Sequence, residues 1–320
     1  MYIVDGHCDS LLELYKNNRS FWEHNKAGQH LDWYKLQEGL VLLQFMAIYI
    51  EPQYKPFGAL CRTLEILDYY YNNIEKNSSG KIVSINCKDD LNNLITKRKQ
   101  GQQLIGVLLS IEGGEALEGK LSSLRVLYKL GIRSLTLTWN QRNQIADGVW
   151  ETGTTGGITT FGKKVVEEMN TLGMIIDVSH ISEAGYWDVL SMSKMPVIAT
   201  HSCCRSLHDH RRNLSDEQLC ALGKNGGLVG INFYPDFLGE SKITINNVIE
   251  HIEHASIIAG VNNVGLGSDF DGIDKTPIGL ENATKYPVLH EKMLQRGWKE
   301  EDVQKIMGGN YIRVLKQILE

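Results

Sequence analysis

Cysteine, proline and long apolar runs are all scarce in this 320-residue chain. The six cysteines (Cys8, Cys61, Cys87, Cys203, Cys204 and Cys220) include no Cys-x-x-Cys pair. That is too few for a disulfide framework at this length, so reduced thiols are expected. Cys8 and Cys203 neighbour candidate ligands, but a free cysteine ordinarily behaves as a small buried apolar residue, and both are read that way. No apolar run reaches the roughly 20 residues of a membrane helix. The chain opens on a strand-like Met1-Tyr-Ile-Val-Asp5, with no basic region leading into an apolar stretch, and residues 315–320 carry no lipid-anchor pattern. A cytoplasmic protein is therefore expected. Positive charge is not in excess: 33 basic against 38 acidic residues give a net charge of −5. That disfavours nucleic acid and anionic membrane as partners. No Pro-, Ser- or Gly-rich linker divides the chain, which reads as one domain, 1–320. The absence of Gly-x-Gly-x-x-Gly after the first strand argues against a doubly wound dinucleotide fold.

What the sequence does contain is a succession of apolar, strand-like runs at 2–7, 41–50, 104–111, 132–138, 173–179, 196–200, 227–233 and 263–268. Most are continuous rather than alternating, as in strands covered on both faces. Amphipathic stretches at 59–73, 119–130, 160–172, 183–192, 216–224 and 244–259 separate them, and two more, 290–297 and 299–319, close the chain. Strands alternating with helices imply parallel pairing, and eight such units close naturally into a single α/β barrel of (β/α)8 type. The polar and aromatic insertion 11–35 is expected on the rim. Residues 271–287, rich in Gly, Pro and Asn, are expected as a long loop over the active face.

Metal-capable side chains follow four of these runs. His7 and Asp9 follow the first, two apart and so on one side of an extended backbone. Glu112 ends the third, ahead of two glycines that permit a sharp turn. His180 ends Asp-Val-Ser and His201 ends Ile-Ala-Thr, on successive strands. Taken singly, each has a structural alternative: a hydrogen-bonded His–Asp pair, a buried salt bridge, or a satisfied core histidine. Converging at one barrel mouth, they form a nitrogen and oxygen set suited to zinc, with manganese or iron open. Asp269, at the end of the last strand, is placed to move a proton to and from an attacking water and a leaving amine. Asp271, before Gly272, reads as a turn former. Arg211 and Arg212 lie on the loop after His201, where an arginine fork suits a carboxylate.

These residues resemble the membrane (renal-type) dipeptidases, zinc peptidases on a metal-dependent hydrolase barrel. The resemblance runs nearly end to end through Asp-Gly-His7-Cys-Asp9, Ser-Ile-Glu112-Gly-Gly, Leu-Thr-Leu-Thr138, Asp-Val-Ser-His180, Thr-His201-Ser, Arg-Arg212-Asn, Asn-Phe-Tyr234 and Gly-Ser-Asp269-Phe-Asp-Gly. It implies two zinc ions, with His7, Asp9 and Glu112 holding one and Glu112, His180 and His201 the other, bridged by Glu112. It further implies hydrolysis of a dipeptide, including one with a C-terminal D-residue, by a bridging hydroxide. Asp269 would be the acid/base and Arg212 the partner of the substrate carboxylate. Trp139, Asn143 and Tyr234 would also face substrate. Animal members carry a histidine where this chain has Trp139, which leaves the polarising partner of the scissile carbonyl open between Asn140, Asn143 and the metal. The resemblance is to the bacterial, cytoplasmic branch and suggests a homodimer. Two other readings remain open: a binuclear amidohydrolase acting on N-acyl amino acids, lactones or β-lactams, and a non-enzymatic binding module.

Overall fold

The protein's structure, a computed structural model, describes residues 2–24 and 28–320. Among the described residues the strands are β1 (Ile3–Asp5), β2 (Val41–Tyr49), β3 (Ile82–Ser84), β4 (Ile105–Glu112), β5 (Ile132–Thr136), β6 (Ile175–Asp177), β7 (Ile198–Ser202), β8 (Leu228–Ile231) and β9 (Val264–Leu266). All pair in parallel. β1 lies between β2 and β9, the order then runs β8, β7, β6, β5, β4, and pairing of β2 with β4 closes the ring. Eight strands thus make a closed (β/α)8 barrel, as the alternation of strands and helices predicts. β3 stands outside the ring. It pairs with Ile105, Gly106 and Val107 of β4, and β5 takes over at Leu109 to Glu112.

The strands are apolar because both faces are covered. β2 is buried at every position before Tyr49, and β4 along its whole length. Side-chain caps start the outer helices. Thr159, Ser182 and Ser215 accept from Gly162 N, Gly185 N and Gln218 N, opening helices Thr160–Leu172, Glu183–Met192 and Asp216–Lys224. The C-terminal helix Asn310–Ile318 seals the barrel by sending Tyr311 inside, where its hydroxyl lies 3.3 Å from the Thr200 carbonyl. Only glycine leaves room for that ring: a Cβ at Gly265 would sit 2.6 Å from Tyr311 Cε2.

Several boundaries differ from the sequence expectation. The insertion 11–35 contributes helix Ser10–Asn17 and the start of helix Trp33–Glu38; its residues 25–27 lie outside the described residues. Helix Lys88–Lys99 carries no readable stripe, since it buries only Leu91 and Leu94. The helix expected from 290 begins at Tyr286, with Pro287 in its first turn, where the missing N–H costs no hydrogen bond. The expected loop over the active face is correspondingly shorter. The stretch 299–319 is broken: Glu300–Gln304 and Asn310–Ile318 flank a π-turn containing Gly308 and Gly309. Among the described residues no helix is long and apolar enough to cross a membrane.

Candidate metal centre and active site

The strand ends bring five candidate ligands together at the C-terminal mouth of the barrel. His7 Nε2 lies 3.5 Å from Asp9 Oδ2 and 3.7 Å from Glu112 Oε1. The same Glu112 oxygen lies 2.9 Å from His180 Nε2 and 3.3 Å from His201 Nε2. Glu112 therefore stands between the pair from β1 and the pair from β6 and β7. All five side chains are buried. Gly113, at φ +94°, makes the turn that follows Glu112. His180 and Asp269 both adopt left-handed backbone, at φ 68° and 62°, a region non-glycine residues enter rarely and mostly as Asn, Asp or His. Sharp turns at the strand ends fold both side chains back over the mouth.

Hydrogen bonding sets the protonation pattern of the two later imidazoles. His180 Nδ1 meets Asn140 Oδ1 at 2.6 Å, and an amide oxygen can only accept, so Nδ1 carries the proton. His201 Nδ1 meets Thr200 Oγ1 at 2.9 Å, and that hydroxyl donates its one proton to Asp177 Oδ2 at 2.6 Å, so Nδ1 again donates. Both Nε2 atoms are thereby left with lone pairs, yet they lie 2.8 Å apart and both face Glu112 Oε1. Three acceptors crowded together in a buried site repel one another unless a cation or a shared proton joins them. His7 Nε2 and Asp9 Oδ1 are also buried without a hydrogen-bond partner. The donor set thus fits metal. Atom groupings within ligand distance include His7, Glu112 and His201, and also His7, Asp9 and Asp269, so the Asp269 carboxylate borders the same centre.

The electrostatics follow from burial and crowding. Burial and the Asp9 carboxylate hold Glu112 well above the usual carboxylate range. Burial, with Arg212 and His7 adding to it, pushes His180 well down; burial and the His7 and His180 rings do the same to His201. His7 is pushed up to about 10: burial opposes the shift, but Glu112, Asp9 and Asp269 outweigh it. Burial, reinforced by Asp9 and opposed by His7 and Asn232, raises Asp269 to about 6.

The candidate ligands open into a cleft of about 480 Å³ lined in part by Tyr49, Trp139, Asn140, Arg212, Tyr234 and Asp269. Arg212 is buried, donates to the His201 carbonyl at 3.1 Å, and leaves its Nε unpartnered. Arg211 is exposed. Trp139 packs against Tyr49 and Trp150, at ring separations of 5.1 and 5.4 Å, and makes an aromatic wall. Asn143 is placed elsewhere: its amide donates to the Leu137 carbonyl at 2.9 Å and accepts from Ile145 N at 2.7 Å, holding its own loop. Asp271 forms its turn but also accepts from Ser10 Oγ and His30 N. Cys8 and Cys203 are buried free thiols.

Sequence reasoning passed over three contributors. Tyr49 lines the cleft at the end of β2. Asn232 donates to Asp269 Oδ2 at 2.9 Å. Asp177, three residues before His180, supports Thr200. Each stands at or just past a strand end, which was the one signal on offer.

The sequence profile of the family described as membrane dipeptidase (peptidase family M19) matches residues 1–320. Mouse dipeptidase 3 is 35% identical over 99% of this chain, and a Schizosaccharomyces pombe protein named as an uncharacterized dipeptidase is 36% identical over 98%. The chain spans 64% of the mouse protein's length and 80% of the yeast protein's. Among solved structures, a dipeptidase of family M19 superposes with a TM-score of 0.92 at 27% identity, covering 100% of this chain and 99% of its own. A Rhodobacter sphaeroides metallopeptidase, liganded with a phosphinate mimic of the dipeptide L-Ala-D-Ala, gives 0.91 at 27% identity, with 99% of both chains covered.

Proposed function

This chain belongs to the membrane dipeptidase family, peptidase family M19, and on that footing we propose that it is a zinc peptidase hydrolysing dipeptides, including those with a C-terminal D-residue. The observation that carries the reading is the meeting of Glu112 Oε1, His180 Nε2 and His201 Nε2, three acceptors, in a cleft that also holds a buried arginine. His7, Asp9 and Glu112 would hold one ion, and Glu112, His180 and His201 the other. When bound, the ions would lower the pKa of the attacking water towards about 7 and stabilise charge developing on the substrate oxygen.

The chain's own residues do the rest. Arg212 faces the cleft and takes the free C-terminal carboxylate through its guanidinium, which limits the substrate to one residue beyond the scissile bond. Asp269, held by Asn232, accepts a proton from water as the water oxygen adds to the carbonyl carbon and the C=O pair moves to oxygen. When that pair returns, the C–N bond breaks and Asp269 gives the proton to the departing amine. Trp139 and Tyr234 line the cleft around the substrate. The phosphinate dipeptide mimic bound to the Rhodobacter sphaeroides neighbour supports a substrate with a D-residue at the C-terminal position.

The test is turnover of L-Ala–D-Ala and L-Ala–L-Ala, each with free and amidated C-terminus, with zinc added or stripped. Zinc-dependent cleavage restricted to the free carboxylate is expected. Activity that survives complete stripping, or is indifferent to amidation, rejects the reading.

A further inference from the structure

Two carboxylates are buried inside the barrel beneath the ligands. Asp5 accepts from Ser268 N, Ser268 Oγ, Gln44 Nε2 and Tyr286 Oη, all within 2.8 Å. Asp177 accepts from Ser179 N at 2.9 Å and Thr200 N at 3.0 Å on Oδ1, and from the Thr136 and Thr200 hydroxyls, both at 2.6 Å, on Oδ2. Asp177 differs from Asp5 in what its partner touches: the Thr200 hydroxyl is the acceptor for His201 Nδ1.

We infer that Asp177 is a positioning residue that fixes the tautomer of His201 through Thr200, so that the direction of this hydrogen-bond relay keeps His201 Nε2 free to bind metal. The inference rests on the assignment of His201 as a ligand made above. A hydroxyl has one proton. While Asp177 claims it, Thr200 can only accept from His201 Nδ1, and Nε2 keeps its lone pair. Partners of this kind, one step behind a ligating histidine, set its ring orientation and basicity. His180 reaches the same tautomer by another device, the Asn140 amide oxygen. The relay serves His201 alone.

An isosteric change reverses the relay. In Asp177→Asn the amide NH2 cannot face the Ser179 and Thr200 N–H groups, since that sets donors against donors. It must replace Oδ2, facing the two hydroxyls, which rotate freely and become acceptors. The Thr200 proton is then released towards His201 Nδ1, and the imidazole proton moves to Nε2, where it blocks a ligand position. Removing the hydroxyl breaks the transmission: in Asp177→Asn/Thr200→Val, His201 no longer receives the reversed signal.

The experiment is competitive zinc titration of the full-length protein against a chromogenic chelator, with thermal unfolding as a check on folding. Wild type is expected to bind two equivalents. D177N should bind one as wild type and the second about 100-fold more weakly, and selective ¹⁵N-histidine NMR should find the His201 proton on Nε2. T200V should lose roughly tenfold, T200S should match wild type, and D177N/T200V should recover to the level of T200V. A loss below about fivefold in D177N, or a double variant no tighter than D177N, overturns the inference. Should D177N fail to fold, the Thr200 pair decides it: T200V as tight as T200S is fatal. Wild type that binds no zinc instead rejects the ligand assignment, so the two failures are distinguishable.

Discussion

His180 Nε2 and His201 Nε2 stand 2.8 Å apart, and the opposite nitrogen of each ring is bound to an oxygen, Asn140 Oδ1 for one and Thr200 Oγ1 for the other. Two imidazoles held in this way present lone pairs to each other and to Glu112 Oε1. A shared cation would relieve that crowding.

Glu112 is therefore expected to control both ions. Glu112→Gln keeps the shape of the side chain but removes the charge facing three histidines. Metal analysis after dialysis should show wild type with two zinc equivalents and E112Q with less than one. His201→Ala should lose one. Thermal unfolding of wild type should rise with added zinc, because ligand binding to the folded state alone stabilises it by about 2.7 kcal/mol at a concentration 100 times Kd. E112Q that retains two tightly bound ions would remove the bridge.

Asp269→Asn should keep the metal and lose about 10²- to 10⁴-fold in kcat, the usual contribution of a positioned acid/base. The pH profile follows from its environment. Burial, with Asp9 adding to it, raises this carboxyl to about 6, and only the deprotonated form accepts a proton from water. In wild type, kcat/KM should climb with pH up to about 6 and then flatten on that limb. In D269N the limb should vanish. A limb that persists unchanged in the variant assigns the titration to another group.

Arg212 sits in the cleft with its Nε buried and unpartnered. Replacing it with methionine removes the partner of the substrate carboxylate. Loss of one member of a buried charged pair costs about 2–5 kcal/mol, so R212M should raise KM for a free dipeptide at least tenfold while barely changing the already poor turnover of the amidated one. An equal effect on both substrates means that Arg212 acts through His201, whose carbonyl it also holds.

Gly265→Ala places a methyl 2.6 Å from the Tyr311 ring inside the barrel. Overpacking of this kind costs about 1–3 kcal/mol. Tm should fall by several degrees, while the zinc stoichiometry at 25 °C stays at the wild-type value. Gly265→Ala/Tyr311→Leu, which vacates the ring, should recover part of the loss. Unchanged Tm in G265A would mean that the C-terminal helix does not plug the barrel firmly.

The sequence by itself determined the barrel and marked the strand-end residues that are proposed as ligands. Each strand must be apolar on both faces, so its end is marked where polar residues resume, and His7, Asp9, Glu112, His180, His201 and Asp269 all stand at such ends. The same reasoning passed over β3 and helix Lys88–Lys99, because three residues make no pattern and two buried leucines make no stripe. It could not separate Asn140 from Asn143, identical in type and three residues apart: only the folded loop turns one amide to His180 and occupies the other with the Leu137 carbonyl. Nor could it single out Asp177, which looks like any polar residue near a strand end. Apolar burial is written locally, one residue at a time, and is legible along a chain. The direction of a hydrogen bond depends on which partners, 23 and 41 residues away for Asp177, arrive around the same oxygen, and only the closed barrel decides that.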